Sequence, residues 1–121
     1  MRNMSFAMTD VQIRNRVKTV TRRLGWVDVY PGEKLRAVAK SQGLRKGEKV
    51  EVLAVVRVVS VRREPLADLN RQPYGEVEVV LEGFPFLKPH EFIYCFRRAY
   101  RCGEDAVVTR IAFEYVEEVA E

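Results

Sequence analysis

The chain has 121 residues, 47% hydrophobic and 31% charged, which is the length of one domain with enough apolar side chains to bury a core. Disorder and membrane insertion are excluded on composition: the longest apolar run, Val52 to Val56, is far too short to span a bilayer. The net charge of +4 hides a polarity: residues 1–63 hold 15 Lys/Arg against 5 Asp/Glu, and residues 64–121 hold 6 against 12.

A basic half attracts polyanions, nucleic acid above all, unless the two halves neutralise each other on packing. The first residues, Met1-Arg2-Asn3-Met4-Ser5-Phe6, lack the apolar core and cleavage site of a secretory signal. The expectation is a cytoplasmic, single-domain protein over 1–121 with no membrane contact.

In chain order, residues 4–8 alternate apolar and small side chains and predict a half-buried strand. Thr9 is a suitable N-cap, so residues 9–16 predict a short helix carrying Val11 and Ile13. Its basic end, with Arg14 and Arg16, leads into Lys18-Thr19-Val20-Thr21-Arg22-Arg23. In extended backbone Thr19, Thr21 and Arg23 face one way, and Lys18, Val20 and Arg22 the other. A twist or bulge brings Lys18 and Thr21 together. An ammonium beside a hydroxyl orients an anion and, once deprotonated, serves as base for a hydroxyl nucleophile. The same six residues also read as a solvated, basic edge strand.

Gly25 breaks that strand, and Trp26 beside the arginines is either a core or rim residue or a stacking platform for a base. Tyr30-Pro31-Gly32-Glu33 has the Pro and Gly positions of a type II turn. A strand over 34–40 follows, ending at Lys40, and a basic loop, Ser41-Gln42-Gly43-Leu44-Arg45-Lys46-Gly47, is placed to touch phosphates. Valine dominates residues 49–63, which predict one long bent strand or two joined at a bulge. Pro65 opens a helical turn through Leu69, residues 76–82 predict a helix, and a further helix runs from Lys88 or Pro89 to Tyr100 with Phe92, Ile93 and Phe96 on its core face. Residues 106–116 alternate as a last strand. These elements describe an α+β sheet curled towards a barrel of about five to six strands with two or three short helices.

Catalytic motifs are sparse. No Gly-rich phosphate loop, nucleophile elbow or paired-cysteine metal motif occurs. His90 reads as a surface histidine, and Cys95 and Cys102 read as buried free thiols. What remains is a lysine, a threonine and several glutamates, a set suited to amide hydrolysis if the lysine is desolvated, or to phosphate binding if it is not.

Taken together, Lys18-Thr19-Val20-Thr21-Arg22-Arg23-Leu24-Gly25-Trp26, Pro31-Gly32-Glu33, Gly43-Leu44-Arg45-Lys46-Gly47-Glu48, the run from Val56 to Leu66, and Glu82-Gly83-Phe84-Pro85 resemble an ASCH-domain protein over nearly the whole chain. Small stand-alone bacterial and phage-type members are the most similar. The resemblance implies a PUA-like β-barrel with helices flanking a cleft. The family signature is a glycine, a lysine two residues on, an acidic residue three later and an arginine two further. Lys18 and Arg23 match it, while Arg16 and Thr21 stand at the glycine and acidic positions.

Small ASCH amidohydrolases acting on N(4)-acetylcytidine carry Lys-Thr-x-Thr, with the lysine, the second threonine and a later glutamate as proposed catalytic group. By resemblance these are Lys18, Thr21 and Glu82, with Glu64 and Glu91 as the other candidate glutamates. Three functions follow from the resemblance. In the first, a basic cleft binds RNA or a nucleotide through Arg14, Arg16, Lys18, Arg22, Arg23, Trp26, Lys40, Arg45 and Lys46. The second is amide hydrolysis on acetylated cytidine, and the third is metal-independent cleavage of single-stranded RNA. The implied partner is RNA or a modified nucleoside, with no cofactor, no metal and no obligate protein partner.

Overall fold

Thr9 N–H donates to the Phe6 carbonyl at 3.1 Å, closing a turn that ends β1 (Arg2–Ser5) before the stretch predicted for it is complete. The computed structural model describes residues 1–40 and 44–117, so residues 41–43 of the basic loop lie outside the described residues. The other strands are β2 (Val20–Arg23), β3 (Lys34–Val38), β4 (Val52–Pro65) and β5 (Val107–Tyr115). The helices are α1 (Asp10–Arg14), α2 (Tyr74–Leu81) and α3 (Pro89–Tyr100), with a 3-10 turn over Leu66–Asn70. α1 is shorter than its pattern predicts. Thr9 gives it no side-chain cap, and Arg16 leaves the helical region at φ 57°.

The strands form one mixed sheet in the order β1-β3-β4-β5-β2. β1 runs parallel to β3, and the remaining pairs are antiparallel. Valine-rich β4 is the spine: its first half pairs with β3 and its second with β5. Between Val58 and Ser60 the register slips by one residue, leaving Val59 as a bulge that is 53% exposed. A bulge bends its strand and raises local twist, and here it lets one long strand roll the sheet into a half-barrel.

The barrel interior holds Met4, Phe6, Ile13, Leu35, Val56 and Phe113 among its buried residues. A second core joins Leu66, Leu69, Val79, Phe92, Ile93 and Phe96 under the helices. α3 supplies the last three through the three- and four-residue spacing read from its sequence. The Lys88 N–H at its start donates to the Glu91 carboxylate at 2.8 Å, which commits Glu91 to capping. The turn at Tyr30–Glu33 closes with Gly32 at φ 94°, the conformation that a glycine there permits.

β2 lies at the sheet edge, hydrogen-bonded to β5 alone, yet Val20, Thr21 and Arg22 are buried. The solvated-edge reading therefore fails. Polar groups from α2 and the residue that follows it close over this edge. The charge polarity of the sequence is consumed the same way: Arg16 pairs with Glu117, Arg57 with Glu114, Lys18 with Glu82, and Arg22 with Glu64, Glu78 and Glu82.

Candidate functional site

Lys18 sits two residues before β2 and is fully covered. Its Nζ donates to Glu82 Oε1 at 2.7 Å and to the Glu82 carbonyl at 2.9 Å. Glu82 ends α2, where carbonyls have no partner within the helix. The Lys18 ammonium takes one of these, and the Thr19 N–H takes the Leu81 carbonyl at 2.9 Å. A cation at a helix C-terminus is favoured by the aligned peptide dipoles as well. The lead into β2 is thus bolted to the end of α2. Tyr115 OH donates to the Lys18 carbonyl at 2.6 Å and fixes the backbone from the other side. Burial lowers the Lys18 pKa from its ordinary value, while the Glu82 carboxylate opposes that shift and Arg23 and Arg22 reinforce it.

Arg22 lies behind this pair. Its Nη1 donates to Glu82 Oε2 at 3.0 Å, and its Nη2 reaches Glu78, Glu64 and the Tyr74 hydroxyl. Arg110 grips Glu78 with two further bonds. Arg62 and the Tyr74 hydroxyl hold Glu64 Oε1 at 2.9 and 2.7 Å. Burial disfavours the Arg22 charge, but Glu82, Glu78 and Glu64 together raise its pKa. The carboxyls of Glu78 and Glu64 are held below their ordinary range by their arginine and tyrosine partners, against the opposing effect of burial. A buried charge cluster of this kind survives only when nearly every polar atom is matched. Arg22 Nε is the one buried side-chain atom without a partner among the described residues.

Thr21, one residue before Arg22, faces a cavity of about 730 Å3, within the range of small-molecule sites. Its Oγ1 accepts from Arg23 Nε at 3.1 Å. The Arg23 guanidinium lies over the Phe6 ring, 4.7 Å from its centroid. Lys18, Thr21, Arg22, Arg23 and Glu82 all line the cavity, together with Phe84, Phe92, Phe96 and Tyr100. Lys40 stands at its rim, exposed and 3.4 Å from Glu48. No hydrogen bond joins Lys18 to Thr21: the lysine is turned to Glu82 and the threonine to Arg23.

No family model matches the sequence, and no curated protein matches it. Solved structures do. Hypothetical protein PH0355 superposes with a TM-score of 0.62 at 18% identity, over 96% of this chain and all of its own. Protein EF3133 from Enterococcus faecalis V583, of family DUF984, gives 0.64 at 16% identity over 95% of this chain and 75% of its own. An ASCH domain from Lactobacillus crispatus JV V101 gives 0.55 at 12% identity, over 94% of this chain and 78% of that domain. The fold is ASCH-like.

Within the ASCH-like fold the expected site residues separate into two groups. Lys18, Thr21 and Glu82 meet at one cavity, and Arg22, Arg23 and Lys40 join them. Arg14, Arg16, Trp26, Arg45 and Lys46 are not part of its wall. Arg14 pairs with Glu51 at 2.7 Å and Arg16 with Glu117 at 2.8 Å. Trp26 packs against the barrel core beneath the Arg2 guanidinium, 4.8 Å from its ring centroid, so it is no stacking platform at the cavity. Arg22, expected to meet nucleic acid, is spent on three carboxylates.

Of the alternative glutamates, Glu64 belongs to the Arg22 cluster and Glu91 caps α3. Glu78, a buried partner of Arg22, and Arg110, which bonds to Glu78, were missed by sequence reasoning. They lie on α2 and β5, and only their position opposite Arg22 marks them. The ASCH-like domain also departs from the buried-thiol expectation, since Cys95 is exposed at the cavity margin. Among the described residues no group of His, Cys, Asp or Glu is arranged to hold a metal, and no helix is long and apolar enough to cross a membrane.

Proposed function

We propose that this domain binds a nucleoside-type ligand in the cavity and hydrolyses an amide on it, with N(4)-acetylcytidine as the representative substrate. One observation carries the reading: an amine, a carboxyl and a hydroxyl, from Lys18, Glu82 and Thr21, line one cavity together with the aromatic rings of Phe84, Phe92, Phe96 and Tyr100. Aromatic faces suit a planar base. The reaction chemistry is an implication of the ASCH resemblance and of this convergence.

The proton inventory closes on these three side chains. With the proton shared across the 2.7 Å contact residing on Glu82, Lys18 is a neutral base, the form that its desolvation favours. Lys18 takes the Thr21 hydroxyl proton as Oγ1 bonds to the acyl carbon and the carbonyl electron pair moves onto oxygen. Collapse breaks the carbon–nitrogen bond, and Glu82 gives its proton to the departing amine. A water then attacks the threonyl ester, losing a proton to Glu82, while Lys18 returns its own to Oγ1. Arg22, on Glu82 Oε2, leaves Oε1 directed at Lys18 throughout.

The test is acetate release from N(4)-acetylcytidine by the purified chain, with Thr21→Val, which keeps the side-chain volume, abolishing it. A wild-type protein that binds the nucleoside without releasing acetate supports the second reading, nucleotide or RNA binding alone. That reading is favoured by Lys40 and Arg23, two cations on the same cavity. Shortening of labelled RNA without metal would instead favour ribonuclease chemistry.

A further inference from the structure

Arg22, Arg110 and Arg62 stand opposite one another on β2, β5 and β4, so three arginines form a row across one face of the sheet. Like charges directly opposite repel, and carboxylates from α2 and its C-terminal end are laid over the row. Glu78 and Glu82 are four residues apart there, a spacing at which two carboxylates also repel each other. One guanidinium joins them: Arg22 Nη1 donates to Glu82 Oε2, and Nη2 to Glu78 Oε1. The two carboxylates differ in what else holds them. Glu82 receives Lys18, whereas Glu78 receives Arg110 through Nε and Nη2. Burial alone would raise the Glu78 carboxyl, but the bonds from Arg110 and Arg22 hold it below its ordinary range. Glu78 is therefore a fixed negative charge. It does not line the cavity, so its influence on the site passes through Arg22.

With Glu82 as its only anion, Arg22 would hold that carboxylate ionised and drive the proton of the Lys18–Glu82 contact off the acid. Glu78, anchored by Arg110, takes up the Arg22 charge, and Glu64 does the same from β4. We propose that Glu78 is a positioning residue that, anchored by Arg110, neutralises Arg22 and so lets the Lys18–Glu82 pair keep the proton delivered to the departing amine. The role rests on the amidohydrolase reading above. Other charged groups around the pair are constant: Arg23 on β2 lines the same cavity, Arg62 and the Tyr74 hydroxyl hold Glu64, and Lys40 at the rim pairs with Glu48. Tyr100 lines the cavity from α3, and Tyr115 from β5 donates to the Lys18 carbonyl. α1 brings the uncharged Gln12 beside Gly83. Substitutions confined to Glu78 and Arg110 therefore change one charge at a time behind Arg22.

The pH profile of acetate release from N(4)-acetylcytidine is measured for wild type, Glu78→Gln, Arg110→Gln and the double variant. The same proton is followed without substrate by NMR, through the Lys18 Cε resonance of isotope-labelled protein, assigned by its absence in Lys18→Met. Glu78→Gln removes an anion, so the alkaline fall in turnover and the Lys18 titration are both expected at a pH lower by at least about 0.5. Arg110→Gln removes a cation and leaves Glu78 on Arg22, so both are expected at a pH higher by at least about 0.3. The double variant, which removes one charge of each sign, is expected between the two. Loosened packing lowers turnover but does not move the profile in opposite directions. Single variants that keep the wild-type profile, or that shift it the same way, overturn the role. If the urea midpoint shows that Glu78→Gln does not fold, the direction of the Arg110→Gln shift decides. A wild-type protein that releases no acetate removes the hydrolytic reading itself, and the resonance then still shows whether Glu78 and Arg110 govern the proton.

Discussion

Lys18 Nζ lies 2.7 Å from Glu82 Oε1, and each of the two side chains is 3% exposed. Removing one member of a buried pair strands the other charge, at a cost of about 3–5 kcal/mol. Glu82 serves two cations and Lys18 one carboxylate, so the two deletions are unequal. Glu82→Ala is expected to lose about 3–5 kcal/mol in urea unfolding, because Lys18 and Arg22 both lose a partner. Lys18→Met leaves Glu82 on Arg22, refills the volume and is expected to cost less than about 2 kcal/mol. Equal losses would contradict this account of the cluster.

The pH dependence follows from Lys18. Burial holds its pKa below the ordinary 10.5. Between the folded value and 10.5 the unfolded chain carries a proton that the native chain lacks, so this group's contribution makes stability rise with pH in that window. Tyr115, pushed by burial up to about 12 from 10.0, acts in the opposite sense, but only above pH 10. Urea midpoints followed from about pH 7 to about pH 10 should therefore rise more in wild type than in Lys18→Met. Acetate release should fall over the same range, as the Lys18–Glu82 pair loses the proton that Glu82 gives to the departing amine.

Gly83 adopts φ +98°, and a Cβ there would lie 2.8 Å from Gln12 Cγ and 3.4 Å from Lys18 Cβ. Gly32 has a similar φ of +94° with nothing within 4 Å. Both alanine variants incur backbone strain of about 1–3 kcal/mol. Gly83→Ala is expected in addition to clash with Gln12 and so to cost more stability than Gly32→Ala, with a smaller effect on acetate release through the adjoining Lys18. Thermal unfolding measured beside turnover separates the two effects.

Salt distinguishes a cavity ligand from a phosphate track. An interface built on several phosphate contacts loses affinity by orders of magnitude between about 50 and about 200 mM salt. The uncharged nucleoside, bound against aromatic faces, should change its affinity for Thr21→Val by less than about threefold over that range. A steep decline for the nucleoside would argue against the cavity as its site.

Much of this molecule is local in origin. Period-two valines in β4, the Pro-Gly turn before β3, and Phe92, Ile93 and Phe96 at helical spacing specify strands, turn and core face from their neighbours alone, because alternation and 3.6-residue periodicity are properties of adjacent residues. The Lys18-to-Arg23 run is likewise visible as a concentration of cations and hydroxyls. What those cations do is a matter of what lies opposite them. Alternation puts Lys18 and Arg22 on one side of β2 and Thr21 and Arg23 on the other, but it says nothing of Glu82, 64 residues beyond Lys18 in the chain. Nor does it reveal that Glu78 and Glu64 consume Arg22 while Arg23 bonds to Thr21. Sequence determined which side chains were available. Tertiary packing decided which charges neutralise one another, because desolvation and the Coulomb energy of a pair depend on through-space distance and burial, quantities that spacing along the chain does not contain.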